Sequence, residues 1–330
     1  MSGVPITFAC GLYDRMLPLY TGDVKADGID LNFLAIDTPR EIFDRMLETQ
    51  EFDACEMSSS EFIRYAVRGD CPLVAIPVFP SRVFRHGYIT VDHRTVTAPK
   101  DLAGKRIGVP LYAMTAAIFI RGLLQHDHGV DFSGVTWVEG GLNDTKPHGS
   151  PSKIPLVRPV TIEPHSASKS LNDQLEVGDI SAIISSGIPH AIKRNPNIQR
   201  LFPDYHQQEK DYYRRTRIFP IMHLVVIRRD LYERHPFVAT SLFNAFCEAK
   251  AIAAKKMREL GTLRYMLPWM AAEMDEIEEV FGGDPWPYGI EANRPTLEAL
   301  VQYLADQSLI PEPVPVDSLF IPTFGQAAKP

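Results

Sequence analysis

A strand–helix–strand–helix–strand pattern over residues 6–78 is the feature that most constrains this chain. Residues 6–10 form an apolar run that ends at Gly11, and residues 28–34 alternate apolar and polar side chains with the period of a strand. Thr38, Pro39 and Glu41 then supply an N-cap, a preorganised first position and a capping-box acid for a helix whose apolar face is Ile42, Phe43, Met46 and Leu47. Residues 52–57 read as a short strand, and Ser58 with Glu61 predicts a second capping box on a helix that ends near Gly69. The unbroken apolar run 73–78, bounded by prolines, is that of a strand buried on both faces. A chain written this way builds a parallel sheet wrapped by helices.

A second unit of the same kind starts near residue 95. Residues 99–109 read as a helical turn, a glycine stop and a strand, residues 112–124 as a helix packing through Ala116, Ala117, Ile120 and Leu124, and residues 135–138 as a strand. Residues 140–160, rich in Gly, Pro, Ser and Lys, are the longest irregular stretch, either a functional loop or a tolerated insertion. A capped helix over 170–178 and a strand over 180–185 follow. Residues 218–227 are strongly apolar, and 236–260 form a long helix on which Phe237, Leu242, Phe246, Ala249, Ala253 and Met257 recur at the spacing of a core-packing stripe. The last part, with Trp269, Phe281, Trp286 and Tyr288, carries no sheet of its own and is expected to return over the first unit. The expected division is residues 1–90 plus 218–330 as one discontinuous lobe and 91–217 as the second, with a cleft between them.

At 330 residues the chain exceeds the usual size of one core, which agrees with two units. Its net charge of −7, with acidic and basic residues interleaved, gives no basic stripe, so nucleic acid is not an expected partner. No apolar run is expected to approach the roughly 20 residues of a membrane span. The N-terminal residues lack the basic start, long apolar stretch and cleavage site of a secretory signal, and Cys10, Cys55, Cys71 and Cys247 are scattered in apolar surroundings as buried thiols rather than disulfides, a zinc cluster or a nucleophile. The cytoplasm is the expected compartment.

Asp101-Leu102-x-Gly104-Lys105-x-Ile107-Gly108-Val109 and Leu175-x-x-Gly178-Asp179-Ile180-x-Ala182-Ile183 resemble signatures of the type II periplasmic binding proteins, which implies a two-lobed α/β fold, each lobe a βα sheet with flanking helices. More specific are the runs 10–15 (CGLYDR), 75–86 (AIPVFPSRVFRH), 219–223 (FPIMH) and 286–289 (WPYG), which resemble the 4,5-dihydroxyphthalate decarboxylase family over nearly the whole chain. That resemblance implies a lyase of phthalate degradation acting without oxidant on a small aromatic carboxylate. A non-catalytic binding protein for an aromatic or dicarboxylic acid is the alternative the fold allows.

In such a fold the strand ends and helix starts line the cleft. Ser58 and Ser59 at one helix start, and Tyr112 and Thr115 at another, are therefore candidates for substrate binding through unpaired N–H groups. Arg82 and Arg85 offer guanidinium forks for a carboxylate, with surface placement as the alternative. His86 beside them and His223 in its apolar run are the candidate proton-transfer groups, although a satisfied core histidine would explain His223 equally well. Asp14 pairs with Arg15 or Arg82 or acts in catalysis, Glu56 orients a histidine or takes a catechol proton, and His190 reaches the cleft from the strand before it. Asp14, Glu56, His86 and His223 could instead hold a divalent metal, but no HxH or HxxxH spacing supports one, so no cofactor is expected. The oligomeric state, a homo-oligomer included, stays open at this point.

Overall fold

The computed structural model describes residues 3–151 and 153–323. The chain begins with β1 (Val4–Cys10), α1 (Leu17–Tyr20), β2 (Ile29–Ala35), α2 (Pro39–Thr49), β3 (Ala54–Ser58), α3 (Ser59–Arg68) and β4 (Leu73–Arg82). It continues through β5 (Ile89–Asp92), β6 (Arg106–Val109), α4 (Thr115–His128), β7 (Thr136–Glu139), β8 (Ile162–Glu163), α5 (Leu171–Val177), β9 (Ala182–Ile184), β10 (Ile198–Arg200) and α6 (Tyr205–Thr216). It ends with β11 (Ile221–Arg228), α7 (Arg229–Arg234), α8 (Phe237–Arg258), α9 (Met270–Phe281) and α10 (Arg294–Asp306).

Two sheets result. The first has the order β2-β1-β3-β11-β4, and the second β10-β5-β9-β6-β7-β8. In the first sheet β11 runs antiparallel to both β3 and β4, although β1, β2 and β3 are mutually parallel. The fold is thus two lobes of sheet and helix, joined by the β4–β5 connection and by the return into β11.

Alternation along the strands of the first sheet sorts its side chains between two cores. One face sends Met57, Leu224 and Val226 against Ile42, Phe43 and Phe62 of α2 and α3. The other sends Phe8, Ile76 and Val225 against Leu242 and Phe246 of α8. Each such fully buried side chain contributes about 1.5–3 kcal/mol. On α8 the expected stripe holds for Leu242, Phe246 and Ala249, all at 0% exposure, but Phe237 is 46% exposed and Met257 borders a cavity. At 22 residues α8 is also long and apolar enough, by length and composition, to cross a membrane, which corrects the expectation that no run approaches that length; here it packs on the first sheet.

Neither expected capping box at Thr38 or Ser58 forms, because Glu41 pairs with Arg45 and Glu61 with Arg40. The one at Ser170 and Asp173 does. The helix expected from 112 starts at Thr115.

β4 runs past Val78 to Arg82, and its pairing with β11 slips between Val225↔Ile76 and His223↔Ser81. The looped-out residues include Pro77 and Pro80, which an edge strand tolerates because they have no N–H to donate. Their region's carbonyls find other donors: Gly289 N–H to Pro77 O at 2.8 Å, the Trp286 indole to Phe79 O at 2.8 Å, and Arg15 Nε to Pro80 O at 2.7 Å. Three of the distinctive runs in the sequence thus meet at one bulge.

The C-terminal part does not cover the first lobe alone. Tyr303 of α10 lies on Gly122 of α4, where a Cβ would come within 2.1 Å of the ring, and Gln307 bonds Arg121 Nε at 2.6 Å and Ile118 O at 2.9 Å. Arg121 is buried and bonded to no carboxylate among the described residues, so the Gln307 amide and the Tyr112 carbonyl carry its hydrogen bonds. This segment fastens the second lobe as well as the first.

Candidate active site

The C-terminal ends of β1 and β3, together with β11, place three side chains and one backbone N–H around one carboxylate. Glu56 and Ser58 alternate onto the same face of β3, and His223 sits opposite Ser58 on β11, so Glu56 and His223 are diagonal neighbours. Glu56 Oε1 is 2.6 Å from His223 Nδ1 and accepts the Tyr13 hydroxyl at 2.9 Å, while Oε2 accepts Gly11 N–H at 3.2 Å and the Cys10 thiol at 3.3 Å. Glu56 is fully buried. Burial alone would raise its pKa, but His223, Gly11 and Tyr13 outweigh that and hold the carboxyl below its ordinary value. The same surroundings push the Cys10 thiol and the Tyr13 phenol up, through burial first and Glu56 second.

Facing an ionised carboxylate, His223 Nδ1 carries its proton, which leaves Nε2 to exchange one. The His223 side chain is 18% exposed where Glu56 is sealed, and the Phe43 ring stands edge-on to it at 4.9 Å.

The second lobe meets this edge through hydroxyls. Thr115 Oγ1 accepts Ser60 N–H at 3.2 Å and lies 3.1 Å from Ser58 Oγ, and Ser60 Oγ donates to Ala113 O at 2.8 Å. The two helix starts expected to bind an anion thus lie against each other, and Thr115 takes one N–H of the first. Ser59 is buried beside them with its hydroxyl unpaired.

Next to this contact lies a cavity of about 390 Å³ bordered by Pro110, Gly141, Leu142, His148, Ser186 and Gly187 among others. These residues follow the carboxyl ends of β6, β7 and β9, the position at which open α/β sheets take their ligands. The irregular stretch expected at 140–160 forms its wall and then crosses to the first lobe, where Ser150 N–H donates to Asp44 Oδ2 at 2.9 Å and Arg64 donates to Ile154 O. His148 sits by Arg40, Asp44 and Glu61, and burial first, then Arg40, lowers its pKa, so it is neutral near pH 7.

The other expected residues divide. Arg85 is 5% exposed and forms no ion pair among the described residues; its guanidinium reaches Ser186 O at 3.4 Å, on the cavity wall, and burial lowers its pKa to about 10. Arg82 is equally buried but committed to Asn293 Oδ1 at 2.7 Å and Phe219 O at 2.9 Å, which makes it a tie between β4 and the C-terminal part rather than a free clamp.

His86 is not with His223. It packs against Phe202 and Tyr212 with Nδ1 making no hydrogen bond but 3.8 Å from Glu209 Oε1, and burial lowers its pKa to about 4. Asp14 pairs with Arg15 at 2.9 Å and borders a different cavity. Tyr112 turns its hydroxyl to Gln307 O at 3.2 Å, and His190 is exposed on the second lobe's rim. The four residues considered for a metal are thus not gathered at one point: only Glu56 and His223 meet.

Sequence reasoning missed Tyr13 and His148. Tyr13 stood in a distinctive run whose spacing carried no chemistry until Glu56 was placed beneath it. His148 lay in a loop that composition flagged without indicating which side chain turns inward.

Residues 24–156 match the family described as NMT1/THI5 like. The chain is 36% identical over 298 residues to a Comamonas testosteroni protein named 4,5-dihydroxyphthalate decarboxylase, covering 89% of each chain. A Pseudomonas putida protein of the same name is 38% identical over 218 residues, covering 65% of this chain and 83% of the relative. Among solved structures, the periplasmic aliphatic sulphonate binding protein SsuA from Escherichia coli superposes with a TM-score of 0.53 at 12% identity, covering 100% of this chain and 96% of that one. The alkanesulfonate-binding SsuA from Xanthomonas axonopodis pv. citri gives 0.52 at 10% identity, covering 97% and 99%. At such identities these two establish the periplasmic-binding-protein fold alone.

Proposed function

The chain belongs to the 4,5-dihydroxyphthalate decarboxylase family, and on that premise we propose that it converts 4,5-dihydroxyphthalate, or a close aromatic acid, to 3,4-dihydroxybenzoate and carbon dioxide. The single observation that carries the reading at the level of chemistry is the buried Glu56–His223 pair at 2.6 Å, set where β3 and β11 meet the second lobe.

The net change replaces a ring carboxylate by a proton. Loss of the proton from the hydroxyl para to the reacting carbon pushes electron density onto that carbon. The carbon then takes a proton, the carbon–carboxylate bond breaks, and its electron pair restores the aromatic ring as carbon dioxide leaves. His223 is assigned the donor role through Nε2, with Glu56 holding the ring and stabilising its charged form. His148, neutral and on the cavity wall, is assigned the hydroxyl proton. Arg85 is assigned the carboxylate that remains, because its buried charge is held by no ion pair among the described residues and lies against the cavity wall.

Incubation with 4,5-dihydroxyphthalate, with carbon dioxide and the remaining aromatic acid followed together, tests the reading. Equal release of both products supports it. Saturable binding without carbon dioxide, with and without added divalent metal, would assign the cleft to a binding protein instead.

A further inference from the structure

A second cavity, of about 430 Å³, shares no lining residue with the first and lies between α6, α8 and α9. Its apolar wall includes Met257, Phe219, Met274, Ile277, Phe281 and Trp286. Protein interiors are close-packed, with few voids larger than a water molecule, and a void of about 150 Å³ lined by such side chains already accommodates benzene. This one falls within the roughly 300–1,000 Å³ of small-molecule pockets.

Three aromatic walls are set at angles to one another: Phe219 stands edge-on to Trp286 at 5.5 Å and to Phe281 at 5.6 Å. Such walls favour a flat ring, and the two methionines adapt to its outline. Of the four Lys and Arg side chains on the cavity's lining, three are matched by carboxylates, Arg15 by Asp14 at 2.9 Å, Lys210 by Glu276 at 2.6 Å and Lys250 by Asp284, and the fourth, Arg258, is exposed to solvent. The matched pairs leave little reason for a charged ligand. The connection from α8 to α9 joins two walls of the cavity and carries Leu263, Met266, Leu267 and Trp269 exposed.

We propose that this cavity binds an uncharged, flat, largely apolar molecule of about two rings, independently of the cleft. The stripe continued by Ala253, Ala254 and Met257 on α8 then serves as a ligand wall at its C-terminal end rather than as core.

Fluorescence titration of the whole chain with N-phenyl-1-naphthylamine, an uncharged probe, tests this. Saturable one-to-one binding is expected, weakened about tenfold or more by Ala254→Trp and by Ile277→Trp, which fill the cavity from opposite walls. Turnover of 4,5-dihydroxyphthalate should be unchanged in both, so loss of the cleft's activity and loss of this site read out separately. A thermal melt of each variant shows which is folded, and either one suffices. Absence of saturable binding, probe affinity that survives the filling substitutions, or displacement of the probe by 4,5-dihydroxyphthalate would overturn the proposal.

Discussion

Glu56 and His223 are 167 residues apart in sequence and 2.6 Å apart in space, brought together by adjacent antiparallel strands. Each explains an oddity of the other. A carboxylate with no exposure needs several donors, and a histidine in an apolar strand needs a partner for Nδ1.

His223→Asn is expected to lower kcat roughly 100-fold or more, the scale of a lost general acid, with KM changed little. Glu56→Gln should also depress kcat and displace its pH profile, because the charged imidazole loses its counterion. Steady-state kinetics across pH checks both. A normal kcat in His223→Asn would remove the pair from the reaction.

The two buried arginines should separate. Arg82→Met leaves Asn293 and the Phe219 carbonyl without a donor, at a cost of about 2 kcal/mol or more, with KM unaltered. Arg85→Met should raise KM roughly tenfold, the loss of one charge-assisted bond, with a smaller change in melting temperature. Paired thermal melts and kinetics decide, and equal KM values in the two variants would refute the assignment of Arg85.

His86 predicts an acid limb of stability. Its folded pKa, lowered to about 4 by burial, lies below the ordinary value of 6.5, so between those values the unfolded chain binds more protons. The stabilisation is complete above the unfolded pKa and is lost as pH falls towards 4, by about 3 kcal/mol. His86→Phe, which keeps the packing against Phe202 and Tyr212, should flatten this limb in denaturant titrations at pH 7 and pH 4.5 and leave turnover unchanged.

Gly122→Ala should destabilise the chain by about 1–3 kcal/mol, since the new methyl meets the Tyr303 ring at 2.1 Å and must push α10 from α4. A lowered melting temperature relieved by adding Tyr303→Leu would locate the effect at that contact.

Period, apolar runs and glycine stops were enough to read the βα order, the return strand near 218 and the long α8. They were not enough for the bulge in β4, because prolines in an apolar run give no register until β11 lies beside them. At the site, Glu56 and His223 were legible as residue types but not as a pair. A diagonal contact depends on which strands neighbour each other, and local sequence does not encode that. Arg82 and His86 were misplaced for the converse reason. Neighbours in sequence at the end of a strand leave it in different directions, one tied to Asn293 and the other buried against Phe202 and Tyr212.

The place of β11 between β3 and β4 also governs the order of assembly. Among the described residues β4 pairs with no strand but β11, apart from an isolated bridge between Ala75 and Phe320, and every strand of the second sheet lies between residues 89 and 200, so all its strands precede β11 in sequence. A chain made only as far as residue 220 therefore has all the strands of the second sheet but lacks the partner that β3 and β4 share, so both present unpaired edges. When β11 inserts, the first lobe closes, and in the same event Glu56 loses water and gains His223. Closing the first sheet and creating the proton-transfer pair are a single step, so chains ending before β11 carry neither.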